Sequence, residues 1–151
     1  MNKQKQLAKA IEVATEAHKG QFDKGGKPYI LHPLHLMNQL MFDPELAAIA
    51  VMHDVIEDSA WDIGMLLDVG FSERVCNALH LLTHEKGHDY LDDYIQGICQ
   101  NYDAIRVKRK DLQHNSDITR LKDVRDKDLR RINKYQKAFI ILGEARTTFR
   151  G

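Results

Sequence analysis

From Leu7 to Ile140 the apolar residues recur at helical spacing, and almost nowhere at the alternation of a half-buried strand. Leu7, Ile11, Ala14 and His18 stripe a first helix that ends near Gly20. Pro33 suits the first turn of a second, which carries Leu34, Met37, Leu40 and Met41. Asp43-Pro44-Glu45 then combines a capping side chain, a proline that needs no amide donor and an acid in the first turn. The third helix that it opens is expected to run through Leu46, Ile49, Ala50, His53, Val55 and Ile56. A short piece covers Asp62 to Val69. Ser72 caps a fifth helix through Val75, Cys76, Leu79 and Leu82, and a sixth spans about Asp89 to Ile98. A seventh, from Asp103, carries Ala104, Val107 and Asp111. The last, from about Asp126, carries Leu129, Ile132, Tyr135, Phe139 and Ile140. With no repeat, linker or low-complexity segment, the expectation is an all-α, single-domain helical bundle over residues 1–151.

Charge and composition narrow the function classes. Lys plus Arg (22) equals Asp plus Glu (22), so no overall field draws the chain to nucleic acid or to an anionic membrane. The basic run Arg106, Lys108, Arg109, Lys110 lacks interleaved aromatics and reads as a solvated face, as does KDVRDKDLRRINK. No run approaches the roughly 18 apolar residues of a membrane span, and MNKQKQLAKA lacks a signal peptide's apolar middle. A soluble, cytoplasmic protein is expected. Cys76 and Cys99 fall on apolar helical faces and read as reduced core residues. Oligomeric state is not legible.

The chemistry concentrates in HDVIED, His53 to Asp58. Burying charge inside an apolar helix is costly unless compensated. At about 100° per residue, His53, Glu57, Asp54 and Asp58 fall in that order within roughly 140° of arc, so one face presents an imidazole and three carboxylates. Crowded carboxylates repel, and a divalent cation is the usual remedy. His and Asp without Cys suit Mn²⁺, Fe²⁺, Zn²⁺ or Mg²⁺. A solvated acidic helix end is the competing account. Two further segments weigh against it: His32 in PYILHP and Asp111 in VKRKDLQHN, because a site between helices draws ligands from separated elements.

AHKGQ (17–21), PYILHP (28–33), HDVIED (53–58), LTHEKG (82–87) and VKRKDLQHNSD (107–117) resemble the successive motifs of the HD-superfamily phosphohydrolases. The resemblance is to the hydrolase half of the Rel/SpoT enzymes and to the small alarmone hydrolases. It implies an all-α fold and one metal ion, normally Mn²⁺, held by His32, His53, Asp54 and Asp111. It also implies that Glu57 and Asp58 position or deprotonate the attacking water, and that Asn115 contacts a small nucleotide substrate. The activity it implies is removal of the 3′-pyrophosphate from guanosine tetraphosphate (ppGpp). Lys24, between Asp23 and two glycines, and Lys108, one turn before Asp111, are candidate phosphate contacts. The chain departs from the pattern at Asp23, where many ppGpp hydrolases have an arginine that helps hold the base, at Arg109 and Lys110, where small or apolar residues usually stand, and at Ile118. Asp23 favours the rival of another nucleotide, an adenosine alarmone or NADPH. A catalytically silent HD domain that binds a nucleotide or a protein is the other rival, disfavoured by the intact residues.

The remaining candidates read as structural. His80, His84 and His88 look like surface histidines, with Gly87 ending their helix. His18 and His114 suggest packing or support of a ligand residue. Tyr90, Tyr94 and Trp61 suit core or rim packing, and Met37 and Met41 look like core.

Overall fold

The computed structural model describes residues 1–149. Among them the only β pairing is an isolated antiparallel bridge between Phe22 and Pro28; the rest is helix and loop. The helices are α1 (Lys3–Ala17), α2 (Leu31–Gln39), α3 (Pro44–Met52), α4 (Val55–Asp58), α5 (Ile63–Val69) and α6 (Glu73–Leu82). A π-helical segment (Tyr90–Ile95) then leads directly into α7 (Gln96–Ile98). After it come α8 (Tyr102–Asn115), a 3₁₀ turn (Ile118–Arg120) and α9 (Asp126–Thr147).

α3 is the axis of the fold. Asp43 caps it by accepting from the Leu46 N–H, Pro44 occupies its first turn, and every residue from Leu46 to Met52 is fully buried. A helix that is apolar all round must be surrounded. α1, α2, α6 and α8 pack against it, and α9 lies along α8. Arg74 of α6 ties the starts of two other helices by donating to Asp43, at 2.7 Å, and to both oxygens of Asp103, each at 2.9 Å.

Four expectations need correction. The third helix does not continue to Ile56. It stops at Met52, Asp54 takes φ −106° and ψ 2°, and α4 restarts at Val55. The reason is tertiary: the His53 ring turns back so that Nδ1–H donates to Ala50 O at 2.8 Å, while the Tyr29 hydroxyl donates to Asp54 Oδ2. The first half of the sixth helix is π rather than α. Met41 is 46% exposed, whereas Met37 is in the core as expected. α6 ends at Leu82, well before Gly87. Cys76 is buried and Cys99 half-buried, and both are free thiols.

Candidate active site

The break after α3 turns two side chains into one buried space. His53 caps α3, Asp54 lies in the break, His32 lies in the first turn of α2, and Asp111 sits one turn from the end of α8. Donor atoms of His32, His53 and Asp54 all lie within 4.8 Å of one another. Asp111 Oδ1 is 2.8 Å from His32 Nε2 and 3.3 Å from His53 Nε2, and His53 Nε2 is 3.0 Å from Asp54 Oδ2. All four expected ligands therefore meet.

The donor chemistry fits a divalent cation. His53 Nδ1 carries the proton that it gives to Ala50 O, which leaves Nε2 bare in the neutral ring. That buried nitrogen has no hydrogen-bond partner and faces two carboxylates. His114 prepares His32 in the same way. Burial and the nearby Arg120 push His114 down to about 4, so its ring is neutral, and its Nδ1 lies 2.7 Å from His32 Nδ1. In the tautomer that donates there, His32 turns a bare Nε2 toward Asp111. Two bare imidazole nitrogens among carboxylate oxygens call for a positive charge at their centre. In the metal-free protein a proton takes this role: burial opposes charge on His53, but Asp54 and Asp111 outweigh it and hold the imidazolium well above its ordinary range.

Glu57 and Asp58 close α4 at the solvent side of this cluster. The Glu57 carboxylate accepts the backbone N–H of His84, and the Asp58 carbonyl accepts from the Gln21 amide at 3.1 Å. Partial burial raises Glu57, only partly offset by the His84 N–H, and the charge of Asp54 adds to the rise. Burial and Asp54 likewise raise Asp58. Both carboxylates are thereby better proton acceptors than free ones. His84 is thus more than a surface histidine, since its backbone orients Glu57.

A cleft of about 310 Å³ adjoins the cluster. Its lining includes Lys24 and Asn115, as expected, together with Asp23, Tyr29, Arg120, Arg131 and Tyr135. Lys108 is not part of this lining. Its buried ammonium lies 2.8 Å from Asp111 Oδ2 and 5.2 Å from the centre of the Tyr94 ring, so it pairs with Asp111 rather than facing the cleft. Asn115 does both, donating to Asp111 Oδ1 at 2.9 Å while it lines the cleft.

No family model matches the chain. Among curated proteins it is 30% identical to the bifunctional (p)ppGpp synthase/hydrolase SpoT of Escherichia coli over 123 aligned residues, 74% of this chain and 18% of that protein. It is 44% identical to the guanosine-3′,5′-bis(diphosphate) 3′-pyrophosphohydrolase of Haemophilus influenzae over 52 residues, 32% of this chain and 8% of that protein. The chain thus spans less than a fifth of the length of these relatives. A solved structure of a metazoan ortholog of SpoT, reported to hydrolyze ppGpp, superimposes with a TM-score of 0.74 at 18% identity, covering 91% of this chain and 84% of that one. The chain is a Rel/SpoT hydrolase-like protein of the HD type.

Within this Rel/SpoT-like fold, several site residues escaped the sequence reading. Arg120 donates to His114 O at 2.9 Å and Asn115 Oδ1 at 3.1 Å and lies 3.6 Å from Asp23, so it knits the cleft rim to α8. Arg131 enters from α9. Both belong to a stretch of mixed sign whose only sequence signal is charge. Tyr29 lies inside PYILHP, and its position three residues before His32 could have marked it. His18 is buried, with Nδ1 2.8 Å from Gln21 Oε1, which fits the packing role expected of it.

Proposed function

We propose that the chain is a metal-dependent hydrolase that removes the 3′-pyrophosphate from ppGpp, with Mn²⁺ as the ion held by His32, His53, Asp54 and Asp111. The observation that carries this reading is the convergence of two buried imidazole Nε2 atoms on Asp54 and Asp111 at 2.8–3.3 Å, with Glu57 and Asp58 in the turn that follows. The names of the relatives supply the substrate.

When bound, the divalent cation supplies Lewis acidity and lowers the pKa of water. Glu57, its carboxylate fixed by the His84 N–H, takes the proton of the attacking water, and Asp58 shares the negative field that favours this transfer. Lys24, Arg131 and Arg120 line the adjoining cleft and neutralise phosphate oxygens, while Asn115 offers its amide beside Asp111. Tyr135 and Phe22 give the same cleft flat apolar surface for a base. Water adds across the 3′ phosphoester, and GDP and pyrophosphate leave. Lys108 acts through Asp111, holding that carboxylate ionised.

The test is a turnover assay of purified protein with Mn²⁺ against ppGpp, adenosine tetraphosphate alarmone, NADPH and simple nucleotides, with products resolved by chromatography. Equimolar GDP and pyrophosphate from ppGpp is the expected result. Turnover of another nucleotide alone would overturn the substrate, and inactivity on all of them with metal bound would overturn the enzyme reading.

A further inference from the structure

A second cleft, of about 350 Å³, opens on the opposite face of α8. Measured at about 100° per residue, Arg106, Arg109 and Lys110 point away from Asp111, and Arg146 of α9 meets them across the gap. No Asp or Glu lines this cleft. Among the described residues, only Arg106 of the four cations has a carboxylate within ion-pair distance. That partner, Asp103 at 2.8 Å, already accepts two hydrogen bonds from Arg74.

The cations are held rather than merely exposed. The Arg109 guanidinium lies 4.3 Å from the centre of the Phe139 ring, and that of Arg106 lies 4.2 Å from the Tyr102 ring. The Nε atoms of both arginines are buried without a hydrogen-bond partner. Stacking a guanidinium on an aromatic face fixes its plane and leaves its edge free for an anion. Phe42, 73% exposed, adds an unpartnered aromatic at the rim. The volume is that of a small-molecule site, and four convergent cations with one shared counter-charge repel one another until an anion joins them.

We propose that this cleft is a second anion site, separate from the active site, which takes a small phosphate-rich ligand: an inorganic polyphosphate or a nucleoside polyphosphate. Arg109, Lys110 and Arg146 neutralise its oxygens, and Phe42 and Phe139 wall its apolar side. Arg109 and Lys110, the two charged residues of the α8 motif that the active site leaves unused, thereby gain a role. The site does not depend on the hydrolase reading.

The experiment is calorimetric titration of inorganic triphosphate into the full chain in the presence of EDTA, so that the metal cluster does not contribute. Three proteins are compared: wild type, Arg109→Ala/Arg146→Ala, and Lys24→Ala/Arg131→Ala, which strips cations from the active-site cleft. Binding should persist in Lys24→Ala/Arg131→Ala and weaken at least about tenfold in Arg109→Ala/Arg146→Ala. The Arg109/Arg146 variant should keep its hydrolysis rate, and the single variant Arg146→Gln at the surface end of α9 should weaken binding with the fold intact. GDP titrated beside triphosphate separates the sources: tighter GDP binding places a base on the aromatics, and equal binding assigns the inorganic ligand. Equal triphosphate affinity in wild type and Arg109→Ala/Arg146→Ala, loss of all binding in Lys24→Ala/Arg131→Ala, or binding of an oligonucleotide without triphosphate would each overturn the proposal.

Discussion

Asp111→Asn removes a proposed metal ligand and also strands a buried ammonium, and the two effects can be separated. Lys108 Nζ and Asp111 Oδ2 are 2.8 Å apart, with side chains 12% and 5% exposed. Burial alone would push Lys108 down, but Asp111 outweighs it and holds the ammonium well above its usual range. Breaking a buried pair by removing one partner costs about 3 kcal/mol or more. At about 2–4 °C per kcal/mol for a chain of this size, the metal-free Asp111→Asn variant should melt about 6–12 °C below wild type. Replacing both ends, Lys108→Met/Asp111→Asn, removes the stranded charge and should recover half or more of that loss, because the main cost of breaking a buried pair is the uncompensated charge left behind. Bound metal and turnover should remain lost in both. Thermal melts in EDTA, metal content after gel filtration and the ppGpp assay provide the three readouts. If the double variant is as unstable as Asp111→Asn alone, the account of the pair is wrong. If Asp111→Asn keeps its metal, the ligand assignment is wrong.

Three further outcomes are expected. Glu57→Gln should retain stoichiometric metal while kcat falls roughly 100-fold or more, measured by metal analysis beside steady-state kinetics; wild-type turnover would exclude Glu57 as the proton acceptor. Arg74→Met should lower stability by about 1–2 kcal/mol at pH 7, a modest figure because the guanidinium is one-third exposed. Burial pushes Asp43 and Asp103 up, but hydrogen bonds from Arg74 more than offset this, and both carboxyls titrate below their ordinary range. Groups depressed in the folded state stabilise it above their unfolded value, about pH 4, and lose that contribution as pH falls through the folded value. The melting gap between wild type and Arg74→Met should therefore close toward pH 3, and a gap independent of pH would refute the network. Gly25→Ala places a Cβ 2.3 Å from the Arg120 carbonyl oxygen, so the Asp23–Gly26 loop must move off the 3₁₀ turn that forms the cleft rim. Kinetics should show KM raised roughly tenfold, about 1.4 kcal/mol, with kcat little changed.

Helix starts were legible where capping is local: Asp43, Asp62 and Ser72 each accept the backbone N–H three residues on. The ends were less so. The apolar spacing carries straight through Val55 and Ile56, and the break before them comes from the contacts of His53 with Ala50 and of Asp54 with Tyr29, one of which crosses from a distant part of the chain. Six residues of period 3.6 also look much like six residues of a wider turn, which hid the π-helical segment at Tyr90. The convergence of His32, His53, Asp54 and Asp111 was legible because these residues sit in short motifs. Arg120 and Arg131 were not, since a cation that lines a cleft and one that faces solvent look alike until the chain folds. Lys108 was placed on the right helix, but its partner Asp111 is set by rotamer and burial, which spacing does not specify.

The fully buried α3 has a dynamic consequence. His53 and Asp54 hang from the end of the helix that the protein can least afford to open, so no small fluctuation exposes the buried side of the cluster, His32, His53 and Asp111, without disturbing the core. Amide hydrogen exchange along Ala47–Met52 should report the global unfolding free energy. The loops that carry Lys24 and Arg120 are held mainly by surface bonds and should exchange orders of magnitude faster. Two parts of one site thus have very different lifetimes: the buried side of the cluster should open only with global unfolding, while the loops that wall the adjoining cleft should open continually.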